Sequence, residues 1–336
     1  MATAAVIGGT GFIGAFFSRF LIEEKGYEKV YVLDVVSPED VSCKYRRKLL
    51  DDLGEKIQFQ HCDVRSEITW SPSEEIELVA NFAAIHREPG HQDYEYFETN
   101  ICGARNVCNW VEVLQCHNLI FTSSIAPYGG GDDELSEASL PVPVTAYGAS
   151  KLVAEEIHRG WFERQPNNRS LIICRPGVVF GPGEGGNVSR LIRAVKGNYF
   201  FFCGNDDVRK AGIFVKELCF MLCWFLDAKP KQHTLFNACM HPVPTLGQYV
   251  TGINRVLSNQ GMVFRIPFTL LLGASYIFEL VFRCLRLKNP FSPVRVRKLK
   301  LPNNVTPAVA IDNGYLFKYT LESAFVDWKN DAPHEW

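Results

Sequence analysis

The sequence predicts an α/β fold, in which a doubly wound parallel sheet is followed by a smaller, mainly helical C-terminal lobe. Short β-branched runs alternate with longer helix-like segments through the first half of the chain, which is typical of parallel strands joined by crossover helices. A glycine-rich turn follows the first of these runs. After Gly177 the alternation gives way to Gly/Pro-rich loops and helical segments, and the 336 residues suffice for both parts.

Six short apolar runs are predicted to form the main sheet, because each is rich in β-branched or other large apolar residues and is bounded by turn residues. They are residues 4–7, 29–33, 57–61, 78–82, 119–121 and 171–174. One further pair of strands is predicted near Ile213 and Leu235. We therefore expect a first domain of residues 1–176 and a lobe of residues 177–336, with roughly residues 213–239 returning to the first domain.

Composition excludes several classes of function. The formal net charge of -2 provides no basic field for a polyanion, so no nucleic acid partner is expected. The eleven cysteines are scattered without the spacing of a zinc site or a disulfide framework, which favours reduced thiols and no metal. The chain opens directly into a strand pattern without a signal peptide. We expect a cytoplasmic protein.

The first candidate site is the turn in VIGGTGFIGAFF, which follows a strand and opens a helix. Glycine is needed there because the backbone turns sharply, approaches a pyrophosphate closely and packs the helix on the strand. The helix N-terminus then faces the phosphates. The candidate cofactor residues of this loop are Gly8, Thr10, Gly11, Phe12, Ile13 and Gly14.

Asp34 ends the second predicted strand, where a carboxylate accepts hydrogen bonds from the adenosine ribose hydroxyls. The next residues, VVS, supply no cation for a phosphate on that ribose. Together with the glycine loop, this predicts a Rossmann-type site that binds NAD. The remaining cofactor candidates follow later strands, and they are Asp63, Val64, Phe82, Ala83, Ala84, Thr122 and Ser123.

The candidate catalytic residues lie in two short stretches. TAYGASKLVAEE carries Tyr147 and Lys151 four residues apart, on one face of a predicted helix. A tyrosine with its ordinary pKa of about 10 is a poor base, and lowering that pKa to about 7 requires about 4 kcal/mol. A nearby ammonium group and the positive nicotinamide ring both stabilise the phenolate. Ser124, in FTSSIAPYG after the fifth strand, can bridge the phenol and a substrate oxygen.

These motifs resemble the extended short-chain dehydrogenase/reductase superfamily, in its NAD-dependent nucleotide-sugar epimerase/dehydratase branch. The resemblance runs through GGTGFIG, Asp34, CDV, NFAA, TNICGARNV, TSS, YGASK and RPGVVFGPG, in that order. It implies that the serine, tyrosine and lysine act together, and that Pro176 and Val178 begin a loop beside the nicotinamide. It also implies that Asn100 is buried and braces the active-site helix, with a helix-start cap as the alternative.

Several reactions occur in this branch. The sugar 4,6-dehydratases carry Thr-Asp-Glu at the serine loop, whereas this chain has Ser124, Ile125 and Ala126, so dehydration is disfavoured. The resemblance then implies 4-epimerisation of a HexNAc sugar through a transient 4-keto intermediate, without net oxidation. The alternatives are a NAD(P)-dependent 4-keto-sugar reductase or dehydrogenase, a hydroxysteroid-type dehydrogenase, and a non-catalytic dinucleotide sensor.

The second half of the chain narrows the implied substrate. Its segments RPGVVFGPGEGGNVSRLIRAVKGNYFFFCGN and KAGIFVKEL resemble the bacterial polysaccharide-cluster sugar 4-epimerases, a group that includes the N-acetylglucosaminyl-diphospho-undecaprenol 4-epimerases. This implies a UDP-sugar or undecaprenyl-diphosphate-sugar substrate in surface polysaccharide or O antigen biosynthesis. The candidate substrate residues are His86, Ser124, Ala126, Asn187, Arg190 and Lys210. A solvated surface position is the alternative for His86 and for the two cations.

The most apolar stretch is RIPFTLLLGASYIFELVFRCLRLK, residues 265–288. Its uncharged core, residues 266–278, is too short to span a membrane. Two alternatives stay open. The first is a helix buried in the C-terminal lobe. The second is peripheral membrane contact, with the helix lying on a bilayer near a basic run of Arg295, Arg297, Lys298 and Lys300.

A homodimer is also expected, because relatives pair through the two helices that carry TNICGARNVCNWVEVL and YGASKLVAEEIHRGWF. The apolar residues available for such an interface are Val107, Trp110, Val111, Ile157 and Trp161. The alternative is that they pack on the sheet of their own chain.

Overall fold

The computed structural model describes residues 2–87, 90–258, 263–285, 293, 296–297 and 301–336. Seven parallel strands form its central sheet, and they are β1 (Thr3–Ile7), β2 (Lys29–Asp34), β3 (Ile57–His61), β4 (Leu78–Asn81), β5 (Asn118–Thr122), β7 (Ser170–Pro176) and β11 (His233–Ala238). Their spatial order is β11-β7-β5-β4-β1-β2-β3. The predicted α/β, Rossmann-type doubly wound class is confirmed.

The strand order places the chain reversal between β1 and β4, which are neighbours in the sheet. Open α/β sheets bind their ligands at the carboxyl ends of the strands beside such a reversal. All five residues of β1 are buried, as expected for a central parallel strand that is covered on both faces. The edge strand β3 is partly exposed, and it carries polar residues between its apolar ones.

Helices cover both faces of the sheet. The helices of the described part of the chain are α1 (Phe12–Glu23), α2 (Lys44–Asp51), α3 (Asp93–Tyr96), α4 (Gly103–Val113), α5 (Ala146–Glu163), α6 (Asn187–Lys196), α7 (Val215–Ala228), α8 (Leu246–Leu257), α9 (Phe268–Cys284), α10 (Ala308–Asp312) and α11 (Leu321–Asp331). On one face α1 packs against α7, where the Phe20 and Phe220 rings lie 4.8 Å apart. On the other face α4 and α5 bury Trp110 and Trp161.

The two segments predicted as a further strand pair are both strands, but they lie in different sheets. Gly212–Phe214 (β10) pairs with Val178–Phe180 (β8) in a small separate sheet. The segment near Leu235 is β11, which pairs with β7 and completes the main sheet. Two more parallel pairs join the C-terminal part to earlier segments, namely β9 (Phe201–Cys203) with β12 (Phe264–Ile266), and β6 (Gly131–Leu135) with β13 (Asn303–Val305). The domain boundaries stay a prediction.

The apolar stretch forms helix α9, and the alternative that it is buried is wrong. Leu271 and Ser275, one turn apart, are its only buried residues among those with described side chains. The physical reason is that α9 contacts the rest of the protein along one narrow stripe, so most of its apolar circumference faces solvent. Within the described part of the chain, no helix is long and apolar enough to cross a membrane. Of the basic run, Arg295, Lys298 and Lys300 lie outside the described residues.

The residues proposed for a dimer interface pack mainly inside their own chain. Val107, Trp110, Val111 and Trp161 are buried in the core between the sheet and α4/α5, and Ile157 is half-buried beside them. Their apolar side chains therefore supply little surface for a second copy. Homodimerisation stays a prediction, and its support would have to come from other residues.

Candidate active site

The glycine loop lies between β1 and α1, at the chain reversal. Gly8 adopts a φ of +73°, and a Cβ there would lie 2.7 Å from the backbone nitrogen of Ala83. A Cβ on Gly14 would lie 2.2 Å from the carbonyl oxygen of Gly8. Gly11 begins the helix without a side-chain cap, so its first N–H groups face the loop. Phe12 and Ile13, which follow, are half-buried in the first turn.

Asp34 lies directly beside this loop. One of its carboxylate oxygens accepts a 3.1 Å hydrogen bond from the Thr10 nitrogen, and the other accepts one of 2.8 Å from Val35. Sequence reasoning missed Arg46 of α2, whose guanidinium donates to the Thr10 carbonyl oxygen at 3.1 Å. No short motif signals Arg46, because it lies 36 positions from Thr10 and the packing of α2 on α1 brings the two together.

The two cofactor candidates after β3, Asp63 and Val64, have side chains that contact other parts of the protein. The Asp63 carboxylate is paired with the Arg65 guanidinium at 2.6 Å, and this hydrogen bond holds the pKa of Asp63 below its usual range. Val64 is buried, and its side chain packs against Gly103. The Val64 carbonyl oxygen accepts a hydrogen bond from Asn106. The structure thus directs the Asp63 carboxylate to Arg65 and the Val64 side chain to the core.

The residues after β4 meet the glycine loop. Phe82 donates its N–H to the Ile7 carbonyl at 2.9 Å and packs its ring edge-on against Phe17. Ala83 lies against Gly8, and its backbone nitrogen occupies the space that a Cβ on Gly8 would need. Ala84 follows, half-buried, and leads toward the loop that carries His86. The small residues therefore lie where two backbones approach each other.

The serine loop leaves β5 and packs on the start of α5. Ser124 accepts a 3.1 Å hydrogen bond at its Oγ from the Ala126 nitrogen. A Cβ on Gly148 would lie 2.7 Å from the Ala126 carbonyl oxygen, so only glycine fits under this loop. Thr145 caps α5 by accepting a hydrogen bond from the Gly148 nitrogen. These contacts place the loop that carries Ser124 against the helical turn that carries Tyr147.

Lys151 lies one turn after Tyr147 and is buried. Its ammonium donates a 2.6 Å hydrogen bond to the Thr122 carbonyl oxygen and lies 4.6 Å from the centre of the Phe121 ring. Burial lowers the pKa of Lys151 to about 7, and the charge of Glu155 opposes this effect. The Tyr147 ring lies 6.1 Å from the Tyr96 ring.

Asn100 is buried inside a π-helical turn, Phe97–Cys102, between α3 and α4. Its amide nitrogen donates to the Ser150 hydroxyl at 2.8 Å, and its amide oxygen accepts from the Ile85 nitrogen at 3.0 Å. The Ser150 hydroxyl donates in turn to the Tyr147 carbonyl oxygen at 2.8 Å. Asn100 therefore joins the loop after β4 to the helix that carries Tyr147, and it does not stand at a helix start.

A buried polar network lies beneath the serine loop, and the motifs did not reveal it. Ser123 donates to the Glu155 carboxylate at 2.5 Å. Arg175 of β7 donates to both oxygens of the same carboxylate, at 2.9 and 2.6 Å, and stacks on the Tyr128 ring. Tyr128 continues the network to Asn237 of β11. The Ser123 side chain thus points into the protein, while its backbone continues the sheet by a bond to the Cys174 carbonyl.

The candidate substrate residues are less closely grouped. His86 is exposed, and partial desolvation, followed by repulsion from Arg87 and Lys151, lowers its pKa. Asn187 and Arg190 hydrogen-bond each other at 2.8 Å on the exposed first turn of α6. Lys210 donates to the Leu301 carbonyl oxygen at 2.6 Å, and burial lowers its pKa. Lys210 therefore links this part of the lobe to the segment before β13.

The loop beside the predicted nicotinamide position follows β7. Pro176 ends the strand, and its carbonyl oxygen accepts a hydrogen bond from Ile125 of the serine loop. Val178 begins β8, and a Cβ on the intervening Gly177 would lie 2.5 Å from the Ala211 carbonyl oxygen. The chain therefore passes from the main sheet to the small sheet next to the serine loop.

The residues present fit a dinucleotide. A side chain on Gly8 or Gly14 would fill the space that the loop keeps open, the N-terminus of α1 faces it, and Asp34 stands beside it. Among the described residues, no three His, Cys, Asp or Glu side chains converge on a metal position. The fold and the site define an NAD-dependent enzyme of the extended short-chain dehydrogenase/reductase type.

Comparison with known proteins agrees with this class. Residues 4–239 match the model of the NAD dependent epimerase/dehydratase family, and the chain belongs to that family. It is 29% identical over 245 residues to the N-acetyl-alpha-D-glucosaminyl-diphospho-ditrans,octacis-undecaprenol 4-epimerase of Escherichia coli O157:H7, covering 73% of this chain and 74% of that one. It is 28% identical over 262 residues to the UDP-glucose 4-epimerase of Mycoplasma genitalium, covering 69% and 75% of the two chains.

Solved structures of low sequence identity share the fold. The UDP-glucuronic acid 4-epimerase of Bacillus cereus, in complex with UDP-glucuronic acid and NAD, superposes with a TM-score of 0.72 at 17% identity. The superposition covers 99% of this chain and 100% of the other. The C-terminal part, beyond the region that the family model matches, therefore also follows a known architecture.

Proposed function

We propose that the protein is an NAD-dependent 4-epimerase of a HexNAc sugar attached to a diphosphate carrier. The observation that carries the proposal is a buried Lys151 one helical turn after Tyr147, beside a serine loop that holds Ile125 and Ala126 where the dehydratases have acids. The first feature supplies proton transfer to and from a sugar hydroxyl. The second removes the acid and base that elimination of water requires.

The chain's own residues would perform the proton transfers. Tyr147 takes the proton from the sugar 4-hydroxyl and later returns it to the 4-keto oxygen. Lys151, in its ammonium form, stabilises the phenolate between these two steps. Ser124 orients the same oxygen through its hydroxyl. NAD held at the glycine loop would supply reversible removal and return of the hydrogen at C4.

Inversion requires that the 4-keto sugar present its other face before the hydrogen returns. The proposal therefore needs a sugar-binding region with few fixed contacts to the ring and firm contacts to its carrier. His86 and Ala126 border the reacting end, whereas Asn187, Arg190 and Lys210 are proposed to contact the diphosphate. Lysine is a point charge and not a bidentate fork, so Lys210 would hold a phosphate less rigidly than an arginine.

Two carriers suit this reaction, UDP and undecaprenyl diphosphate, because both are diphosphates that leave the sugar C4 free. Similarity to the Escherichia coli relative, over nearly three quarters of each chain, favours the lipid carrier and a role in surface polysaccharide biosynthesis. A cytoplasmic location belongs to the same proposal, since nucleotide and lipid diphosphate sugars are both available at that side of the membrane. A homodimer is also proposed, with an interface formed by residues other than the buried ones of α4 and α5.

The test is to mix the purified protein with UDP-GlcNAc and, separately, with undecaprenyl-diphosphate-GlcNAc, and to follow the configuration at C4 without added cofactor. We expect inversion with at least one of them, and Tyr147→Phe should lose about 10²- to 10⁴-fold in kcat while keeping the fold. Tyr94→Phe, at an exposed tyrosine, is the matched control. Activity that appears only with stoichiometric NADH or NADPH would contradict the proposal and indicate a 4-keto-sugar reductase.

A further inference from the structure

Helix α9 presents large apolar side chains to solvent along most of its length. Six exposed aliphatic or phenylalanine side chains lie on α9 or, for Leu285, at its C-cap, namely Leu270, Ile277, Phe278, Leu280, Val281 and Leu285, and Ile277 is 67% exposed. Soluble monomers rarely expose a contiguous apolar patch of this kind unless it contacts a partner or a membrane. These six residues are called the α9 face below. The proposed proton transfers do not use them.

A second exposed apolar segment lies immediately before the catalytic helix. In the 140–144 loop, sequence LPVPV, Leu140 is 81% exposed, and Val142 and Val144 are also exposed. Thr145, the next residue, caps α5, and Tyr147 lies in the first turn of that helix. The 140–144 loop therefore leads from the protein surface to the first turn of α5, which carries Tyr147.

Contacts link the 140–144 loop to α9. The Val142 carbonyl oxygen lies against Gly129, and the Pro302 carbonyl oxygen lies near the neighbouring Gly130. Leu301, next to Pro302, is another exposed apolar residue. Pro302 and Phe268, the first residue of α9, line one cavity of about 430 Å³. A row of neighbouring segments thus joins the 140–144 loop to the first turn of α9.

Beyond Glu279 of α9, the sequence up to residue 311 carries charge of one sign. From residue 280 to residue 311 the chain has no Asp or Glu, and its cations are Arg283, Arg286, Lys288, Arg295, Arg297, Lys298 and Lys300. Among the described residues, Arg297 donates to the Tyr276 hydroxyl of α9 at 2.5 Å. Basic residues beside an apolar helix face are what attraction to anionic lipid requires, and each cation near the surface adds to the affinity.

We propose that the α9 face, Leu301 and the 140–144 loop form one surface that binds an anionic bilayer, so that the active site opens toward the lipid. A polyprenyl-diphosphate sugar would then reach Tyr147 from the membrane while its chain stays in lipid. This part deepens the proposed function and rests on it, because it selects the lipid-linked carrier over UDP. The binding of the surface to lipid stands on the exposed apolar residues and on the two described cations beside them, Arg283 and Arg297.

Vesicle flotation tests the surface. Wild type should float with phosphatidylglycerol/phosphatidylcholine vesicles and less with pure phosphatidylcholine. Ile277→Glu/Leu280→Glu should lower the bound fraction about tenfold or more, because two apolar side chains no longer enter the lipid. Val142→Glu should lower it by a smaller factor. Val113→Glu, at an equally exposed position on α4, should float like wild type. Wild type that does not float, or variants that all float equally, would overturn the proposal.

Two further measurements separate the possible failures. If wild type sediments as a dimer that Ile277→Glu/Leu280→Glu dissociates, the α9 face binds a second copy and the lipid proposal is overturned. C4 inversion is then followed with undecaprenyl-diphosphate-GlcNAc in vesicles and with a short-chain, water-soluble analogue. The double variant should be slow only in vesicles. Equal rates for wild type and variant in vesicles would overturn lipid delivery, whereas flotation without inversion of either substrate would overturn the proposed reaction alone.

Discussion

The Lys151 ammonium and the Thr122 carbonyl oxygen are joined by a 2.6 Å hydrogen bond that ties helix α5 to the end of strand β5. Lys151 is 2% exposed, and Glu155, the charged group nearest to it in sequence on the same helix, is already bound by Arg175. The protein therefore holds a cation with little solvation. Such an arrangement favours function at a cost in stability, because a buried ammonium loses its hydration.

The first prediction concerns Lys151→Met. Burial lowers the pKa of Lys151 from 10.5 to about 7, so between about pH 7 and 10.5 the unfolded chain binds more protons at this site than the folded chain. The contribution of this group to the free energy of unfolding is therefore least favourable below pH 7 and improves as the pH rises to 10.5. Removing the amine should raise the free energy of unfolding at pH 6 by about 3 kcal/mol, after subtraction of the lost hydrogen bond.

Urea unfolding of wild type and Lys151→Met at pH 6 and pH 10 measures this effect. The difference between the two proteins should be largest at pH 6 and nearly vanish at pH 10, while kcat falls at least about a hundredfold at pH 6, where the wild-type lysine is an ammonium. Lys48→Met, which removes an exposed partner of Asp52, should show neither change. If the difference in the free energy of unfolding between the two proteins does not depend on pH, burial does not lower the pKa of Lys151.

The second prediction tests the dinucleotide loop through Gly14→Ala. The new Cβ would lie 2.2 Å from the Gly8 carbonyl oxygen, so the loop must move away from the N-terminus of α1. We expect the affinity for NAD, measured by calorimetry on stripped protein, to fall at least about a hundredfold because the phosphates lose their backbone donors. Gly160→Ala in α5 meets no atom within 4 Å and is the control. It should leave NAD affinity unchanged and stabilise the helix by about 0.5–1 kcal/mol.

Local sequence predicted the parts of the site that are built from neighbouring residues. The glycine loop, Asp34 and the helix from Tyr147 to Lys151 each depend on a strand end or on one helical turn, so their spacing already determines where the side chains can lie. Residues 57–61 were predicted as a strand and form β3 with the same bounds. These features follow from chain geometry over a few residues.

The features that the sequence did not reveal depend on packing between distant segments. Arg46 reaches Thr10 only because α2 packs on α1, and Arg175 meets Glu155 across 20 positions. The apolar pattern of α9 left burial and membrane contact both open, because the pattern of a single helix does not show whether another part of the protein covers it. Strand β10 was predicted correctly as a strand. Its neighbour β8 was not predicted, because three residues are too short to show a strand pattern.

The third prediction concerns Asn100→Ala. Asn100 donates to the Ser150 hydroxyl and bonds the Ile85 backbone, and its loss leaves Ser150 with its bond to Tyr147 alone and removes this partner from the Ile85 N–H and carbonyl groups. The expected cost is about 2–4 kcal/mol of unfolding free energy, measured by urea unfolding. Because Ser150 bonds to the Tyr147 carbonyl, kcat should also fall while KM changes little.

Asn106→Ala provides the control for this change. Asn106 donates one hydrogen bond to the Val64 carbonyl from a position outside the active site, and its removal should cost about 1 kcal/mol without an effect on kcat. Asn100→Asp keeps the side-chain oxygen that accepts from Ile85 but loses the amide donor. A variant of Asn100 that loses stability and keeps its kcat would show that the residue supports the fold and not the position of Tyr147.

The fourth prediction concerns the buried pair of Glu155 and Arg175, which are 0% and 4% exposed in their side chains. Glu155→Gln leaves the Arg175 guanidinium buried without its counter-charge and should lower the free energy of unfolding by about 3–5 kcal/mol. Replacing both residues, Glu155→Met with Arg175→Met, removes the two desolvated charges together and should recover most of that loss. Additive losses in the double variant would show that the two side chains do not act as a pair.

The same variants distinguish a structural role from an effect on catalysis. Glu155 raises the pKa of Lys151 against the effect of burial, so its removal should lower that pKa further. A lysine that loses its proton at lower pH stabilises the Tyr147 phenolate only under more acidic conditions, and the alkaline limb of the pH profile of kcat should move to lower pH in Glu155→Gln. The double variant should show a smaller displacement, because it lacks the positive charge of Arg175 as well as the carboxylate. If the pH profile of kcat in both variants matches that of wild type, Glu155 and Arg175 have only a structural role, in which they hold β7 against α5.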